Sequence, residues 1–330
     1  MVYIHVPFCR SFCVYCDFYS EIACGRASKT YVRGVCAEID ARREEIADCS
    51  GTDTLYIGGG TPSVLPLSDI ARIVETLGKK DYDEFTIEVN PDDITPDYAQ
   101  GLRTLGVNRI SMGVQSLSDP VLRWMRRRHD AAGAARAFQT LRKAGFDNIS
   151  VDMIFGFDTY DAATLDTLLS WRPEHLSAYQ LSIETGSALA EQLAAGQFRE
   201  ASDETCRTQY DQICGQMRDA GYEHYEISNW SLPGRHARHN EAYWRRVPYV
   251  GLGPGAHSLR KTGGQEIRSW NSQELSGWHA TQEILTKEEI REEQIMLGLR
   301  TAEGIELDGR HIRIPERDFF IADSIILKML

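Results

Sequence analysis

Short apolar runs alternate with amphipathic stretches through the first 185 residues. The runs predict strands at Tyr3–Val6, Thr54–Ile57, Phe85–Val89, Arg109–Val114, Ile149–Phe155 and His175–Ile183. Helical spacing of apolar positions fills the gaps, near Tyr31–Ala47, Pro66–Leu77, Pro96–Leu105, Asp119–Arg127, Ala131–Ala144 and Ala162–Leu169. Strands alternating with helices read as βαβ units around a parallel sheet. Right-handed crossovers let such a sheet curl into a full or partial barrel. Polar residues that end or follow several of the strands favour a barrel over an open doubly wound sheet. In barrels, sites assemble at the C-terminal ends of the strands. Asp203–Ala220 predicts a further helix, stopped at Gly221. Beyond it the pattern loosens: residues Tyr222–Gly264 are rich in Gly, Pro, His, Trp and Tyr, Lys287–Leu299 is helical again, and Phe319–Leu330 is an apolar tail. The expected organisation is a barrel over residues 1–200 and a smaller C-terminal region over residues 201–330.

Composition narrows the class without changing this outline. The chain has 330 residues, a formal charge of −12, 42% hydrophobic and 25% charged residues, as ordinary soluble proteins have. Its length suits one large domain with a smaller appendage. The acidic balance argues against a non-specific nucleic-acid surface. No stretch approaches the roughly 18 apolar residues that span a bilayer. The opening Met1-Val2-Tyr3-Ile4-His5-Val6-Pro7 has no basic leader or long apolar core. A cytoplasmic protein is expected. In that reducing compartment the eight cysteines point to metal or redox chemistry where they cluster. Cys24, Cys36, Cys49, Cys206 and Cys214 are scattered and read as buried or incidental thiols.

The cluster is Cys9, Cys13 and Cys16, with spacing C-x3-C-x2-C, directly after the first strand. Thiolates are the usual ligands of iron–sulfur clusters, and a 4Fe–4S cubane normally takes four. Three from one loop leave one iron open to a distant cysteine or a small molecule. A tetrahedral zinc site completed by one distant Cys or His is the competing reading. Gly58-Gly59-Gly60-Thr61-Pro62 follows the second strand; it serves either a tight turn or close approach of the backbone to a ligand. Glu88 ends the third strand, Gln115 follows the fourth, Arg127 lies on the next helix and Asp152 lies in the fifth strand. Taken singly, each is as well explained by a structural hydrogen bond. Together they recur where a barrel mouth would gather them. Carboxylates and amides there can hold ribose hydroxyls, and arginine can hold a carboxylate.

The triplet after a first strand resembles the signature of the radical S-adenosylmethionine enzymes. The resemblance implies an α/β fold, a partial (β/α)6 TIM-like radical SAM barrel with a smaller C-terminal α+β domain. It implies a 4Fe–4S cluster on Cys9, Cys13 and Cys16, with the methionine moiety of S-adenosylmethionine on the open iron. Tyr3, Gly59, Gly60, Thr61, Glu88, Gln115, Arg127 and Asp152 match positions that contact S-adenosylmethionine in the family's porphyrin-maturing members.

Within that family the whole chain resembles the coproporphyrinogen dehydrogenase and HemW branch. Tyr3–Cys9, Gly58–Ser63, His175-Leu176-Ser177-Ala178-Tyr179 and Gly298-Leu299-Arg300-Thr301 carry the likeness. The dehydrogenases, which decarboxylate coproporphyrinogen III oxidatively, typically have one more cysteine two residues after the triplet. Here that position is Phe18, which points to the haem chaperones. His239-Asn240-Glu241-Ala242-Tyr243-Trp244 matches the H-N-x-x-Y-W motif associated with haem binding there, and implies His239 as haem ligand. A neutral imidazole can ligate haem iron and aromatic rings can face a porphyrin. Read without the resemblance, the same residues make a structural turn with core aromatics; His224, His236 and His257 are nearby imidazoles. The expected partners are haem or porphyrin and a haem-accepting protein, membrane-associated in the respiratory case, with a homodimer as the expected assembly and no nucleic acid. The chain departs from the family at two loops. Phe157 runs straight into Asp158-Thr159-Tyr160 without the usual Gly-Leu-Pro-Gly, and Gly309-Arg310 joins segments that relatives separate further.

Overall fold

The structure is a computed structural model that describes residues 1–49, 52–79 and 81–330. The expected alternation is present: β1 (Val2–Val6), α1 (Gly25–Ala41), β2 (Thr54–Gly59), α2 (Leu67–Leu77), β3 (Glu84–Val89), α3 (Pro96–Thr104), β4 (Arg109–Gln115), α4 (Ala131–Lys143), β5 (Ile149–Phe155), α5 (Ala163–Ser170) and β6 (His175–Gln180). Each of these six strands pairs in parallel with the next one in sequence. That order, with no strand skipped, is the order of a barrel wall rather than of a doubly wound sheet. The fold is the α/β partial barrel expected.

Three short strands extend the wall at its two edges. The chain continues as α6 (Asp203–Asp219), β7 (Glu223–Glu226), β8 (Asn229–Ser231), α7 (Arg238–Trp244) and β9 (Val250–Leu252). β8 lies antiparallel to β6 with β7 outside it, while β9 lies parallel to β1. The wall thus runs β9-β1-β2-β3-β4-β5-β6-β8-β7. This is the region where the sequence pattern loosens. Strands of three or four residues are too short to display a period. A three-stranded antiparallel sheet of β10 (His257–Thr262), β11 (Gln265–Asn271) and β12 (Ala280–Ile284), followed by α8 (Lys287–Gly298), makes the smaller α+β part. Among the described residues no helix is long and apolar enough to cross a membrane.

The strands alternate in chemistry, and the alternation decides where the core sits. Val2, Ile4 and Val6 of β1, Leu55 and Ile57 of β2, Phe85, Ile87 and Val89 of β3, and Ile110, Met112 and Val114 of β4 are buried together in one apolar cluster with the helices. α1 meets it with Tyr31, Val32, Val35 and Ile39, an i, i+3/i+4 stripe. The other face of the wall, from β2 to β6, carries Tyr56, Glu88, Arg109, Ser111, Asp152, His175, Ser177 and Tyr179, which line the inside. The hydrophobic core is therefore the layer between sheet and helices. The lumen is polar and holds a cavity of about 910 Å3 instead of packed side chains.

Helix ends follow local chemistry. Asp130 accepts from Gly133 N at the start of α4, and Thr286 with Glu289 forms a reciprocal capping box on α8. The expected helix over Asp119–Arg127 stops at Trp124, because Arg126 takes a left-handed φ of 58°. That turn brings Arg127 back toward the lumen. The sixth strand ends at Gln180 rather than Ile183.

Candidate cofactor site

The loop between β1 and α1 carries the three cysteines, and its shape is imposed by backbone bonds. Phe8–Cys9 pairs in parallel with Glu21–Ile22, drawing the loop's two ends together. Between the thiols, Val14 is fully buried. Its N–H donates to Met125 O and its carbonyl accepts from Leu189 N, at 3.3 and 2.8 Å. Cys9, Cys13 and Cys16 consequently all line the cavity at the C-terminal ends of the strands. Burial pushes the Cys9 thiol up, and that of Cys16 up to about 11. Thiols of this kind become thiolates when a metal replaces the proton.

The residues expected around this mouth converge on it. Gly59, Gly60, Thr61, Glu88, Gln115, Arg127 and Asp152 line the same cavity as the thiols. A Cβ on Gly60 would stand 2.8 Å from Phe8 O and 3.1 Å from Cys9 Sγ, so only glycine fits beneath the first thiol. Gly59 has φ +117°, and a Cβ there would stand 2.7 Å from the His5 ring. Thr61 Oγ1 lies 3.4 Å from Cys9 Sγ. Arg127 reaches Cys13 Sγ at 3.6 Å while donating to Asn90 Oδ1 at 2.5 Å and Gly113 O at 2.6 Å. Gln115 is held at φ 68° at the end of β4, beside an irregularity in its pairing with β5. A non-glycine residue held there costs on the order of 1 kcal/mol or more.

The two acids differ in their partners. Glu88 accepts from Tyr56 OH at 2.8 Å and from Gly59 N at 3.0 Å, but burial still pushes its carboxyl up to about 7. Asp152 accepts from Ser111 Oγ at 3.2 Å and from Ser150 Oγ at 3.4 Å; burial raises it too. The Glu88 shift has a measurable sign. Between about pH 4.5 and 7 the folded chain keeps a proton that the unfolded chain has released. Stability contributed by that proton is present at low pH and lost as pH rises through 7, by about 3 kcal/mol. Denaturant midpoints of the cluster-free chain should fall across this window, and Glu88→Gln should flatten the slope. An unchanged slope in the variant would assign it to other groups.

Two of the expected residues lie elsewhere. Tyr3 stands on the inner face of β1, in register with Tyr56 but outside the lining of the cavity, its hydroxyl 3.0 Å from His5 Nδ1 and its ring 6.1 Å from that of Tyr56. His239 sits on α7 at the opposite, N-terminal end of the strands and is 0% exposed. Its Nδ1 is 2.8 Å from Thr54 Oγ1 and its Nε2 is 3.2 Å from Tyr243 OH. The Glu84 carboxylate accepts from the N–H groups of Arg238 and His239, fixing the first turn of α7 under the lumen. Burial, then the nearby N-terminal ammonium and Arg109, push the His239 imidazole down to about 3. Of the alternatives, His224 stacks on Trp230 at 4.2 Å with Nδ1 against Glu316, and His236 is clasped by Glu223 and Glu241. Phe18 is 68% exposed at the cavity rim.

The cavity also has lining residues that sequence reasoning missed: Asn90, Arg109, His175, Ser177 and Tyr179. The signal for them is the period-2 polar pattern Glu84-x-Thr86-x-Glu88, Arg109-x-Ser111, Ser150-x-Asp152 and His175-x-Ser177-x-Tyr179.

A parallel barrel with three thiols, a glycine cradle and a polar lumen at one mouth is also what comparison with known proteins finds. The sequence profile of the Radical SAM superfamily matches residues 3–171. The heme chaperone HemW of Lactococcus lactis is 31% identical over 315 residues, covering 92% of this chain and 82% of that protein. The heme chaperone HemW of Synechocystis is 33% identical over 326 residues, covering 92% and 78%. The chain belongs to the HemW family of the radical SAM superfamily. The fold agrees: the structure of the coproporphyrinogen III oxidase HemN from Escherichia coli superposes with a TM-score of 0.80 over 99% of this chain and 88% of that one, at 19% identity. Membership of the radical SAM superfamily implies a 4Fe–4S cluster and S-adenosylmethionine, and the donor set fits both. Three thiols converge at the rim, glycines leave room beneath them, and both an arginine and buried carboxylates face the same space.

Proposed function

We propose that this HemW-family chain is a haem chaperone, acting in the cytoplasm, that binds haem and delivers it to an acceptor protein, membrane-associated in the respiratory case. The observation that carries the reading is the meeting of Cys9, Cys13 and Cys16 with the nucleotide-type contacts on one cavity, in a chain whose relatives are haem chaperones. Phe18, in place of a further cysteine, favours this over oxidative decarboxylation.

Cys9, Cys13 and Cys16 would hold the cluster. When bound, it supplies an electron and an open iron for the methionine end of S-adenosylmethionine. Gly59, Gly60 and Thr61 present backbone and hydroxyl groups beside that end. Arg127, anchored by Asn90 and Gly113, offers its cation there. Glu88, Gln115 and Asp152 offer acceptors to ribose hydroxyls, and Tyr3 flanks Tyr56 from the adjoining strand. His239 is the imidazole we assign to haem iron; Thr54 and Tyr243, which engage its two nitrogens here, would have to release one of them to the metal. An imidazole is largely in the neutral form that ligates iron at pH 7 and above. In this reading residues 1–200 carry the cluster and S-adenosylmethionine, residues 201–330 supply the closing strands and the floor, and two copies associate.

The test is anaerobic reconstitution of the cluster followed by parallel assays. Stoichiometric haemin binding, and its transfer to a haem-free acceptor, are expected without conversion of coproporphyrinogen III. Vinyl product at enzymatic rates would overturn the chaperone reading.

A further inference from the structure

Arg109 opens β4 and is 2% exposed, yet it lines the cavity. Its Nε has no hydrogen-bond partner. No carboxylate approaches the guanidinium within the 4.0 Å of an ion pair among the described residues. A buried, unpaired cation costs several kcal/mol, so such groups are ordinarily paired.

The acids that could neutralise it are engaged elsewhere. Glu84 accepts from the N–H groups of Arg238 and His239. Both oxygens of Glu88 are taken by Tyr56 OH and Gly59 N. Asp152 is bonded by Ser111 and Ser150. Each carboxylate thus has neutral donors, while the guanidinium, with its planar fork of donors, has none that is negative. A carboxylate from a ligand is the complement that fork is shaped for.

S-adenosylmethionine does not meet the requirement. Its carboxylate is expected with the thiols and Arg127, at the end of β4 marked by Gly113 and Gln115. Arg109 lies at the other end of that strand, its backbone four residues or about 13 Å below Gly113. The ligand must bring a second, deeper acid group. We infer that Arg109 is a carboxylate subsite on the lumen floor that receives a propionate of the tetrapyrrole. This rests on the haem reading above and adds which end of the cargo enters first.

The probes are haemin and haemin dimethyl ester, titrated into the cluster-loaded chain and followed by the Soret band. The wild type should bind haemin at least about ten-fold more tightly than the ester, one charge-assisted pair being worth that much. Arg109→Gln should bind haemin about ten-fold more weakly and the ester unchanged, and Arg109→Lys should recover part of the loss. The wild-type comparison stands even where Arg109→Gln fails to fold. Equal affinity of the wild type for haemin and its ester overturns the subsite alone, as does equal haemin binding by wild type and a folded Arg109→Gln. A wild type that binds neither probe overturns the haem reading, and the subsite with it.

Discussion

Alanine at any one of Cys9, Cys13 or Cys16 is expected to lower reconstituted iron and sulfide by roughly an order of magnitude or more, while the chain stays folded. The reason lies in the geometry. The thiols line an open cavity and are not packed into the apolar core, so a methyl group in place of Sγ leaves few contacts unmade. Val14, pinned between Met125 and Leu189, keeps the loop in place in all three variants. Cys9 is the partial exception. It is 9% exposed and rests on Gly60 and Thr61, so its variant should lose slightly more stability than the other two. The measurement is iron and sulfide analysis with the visible spectrum after anaerobic reconstitution, beside far-ultraviolet dichroism. A full cluster in any single variant would remove that thiol from the ligand set. Tight zinc with no cluster in the wild type would restore the competing reading of the triplet.

The second large effect is expected at His239. Alanine there removes a fully buried ring that bridges Thr54 and Tyr243 and packs 5.1 Å from the ring of Tyr56. The two hydroxyls lose a partner in a closed environment. The expected destabilisation is about 3 kcal/mol, read from denaturant unfolding of the cluster-free chain. The wild type carries a second signature. The folded chain holds this imidazole neutral down to about pH 3. The stability tied to that neutral ring is complete above the ordinary imidazole range near 6.5. It is lost as pH falls from there toward 3, because the unfolded chain takes up the proton first. His239→Ala should lack that acid-side loss. On haemin, the variant should also lose the Soret signature of imidazole ligation. Unchanged ligation would remove His239 as the iron ligand and leave it the structural role its hydrogen bonds describe.

His239 and Arg109 show how far the linear pattern reaches. The H-N-x-x-Y-W run is visible in the sequence, but nothing in it says that both imidazole nitrogens are occupied. That depends on Thr54, which is 185 positions away and comes near only when β2 and α7 pack. Arg109 looked like the opening residue of an ordinary strand. Its solitude follows from where the protons of Tyr56, Ser111 and Ser150 go, and from α7 drawing Glu84 away.

The sequence by itself determined the βαβ order, the six parallel strands, the thiol spacing and the family. These depend on local periodicity and on residues close together in the chain, which a linear pattern records. Tertiary structure alone decided that the apolar faces turn outward to the helices and leave a polar lumen. It decided that short strands from residues 223–252 extend both edges of the wall, and that Tyr3 and His239 stand off the cavity that the other expected residues share. Each of these outcomes is set by partners far apart in sequence. Burial and hydrogen bonding then act between faces whose pairing no single segment encodes.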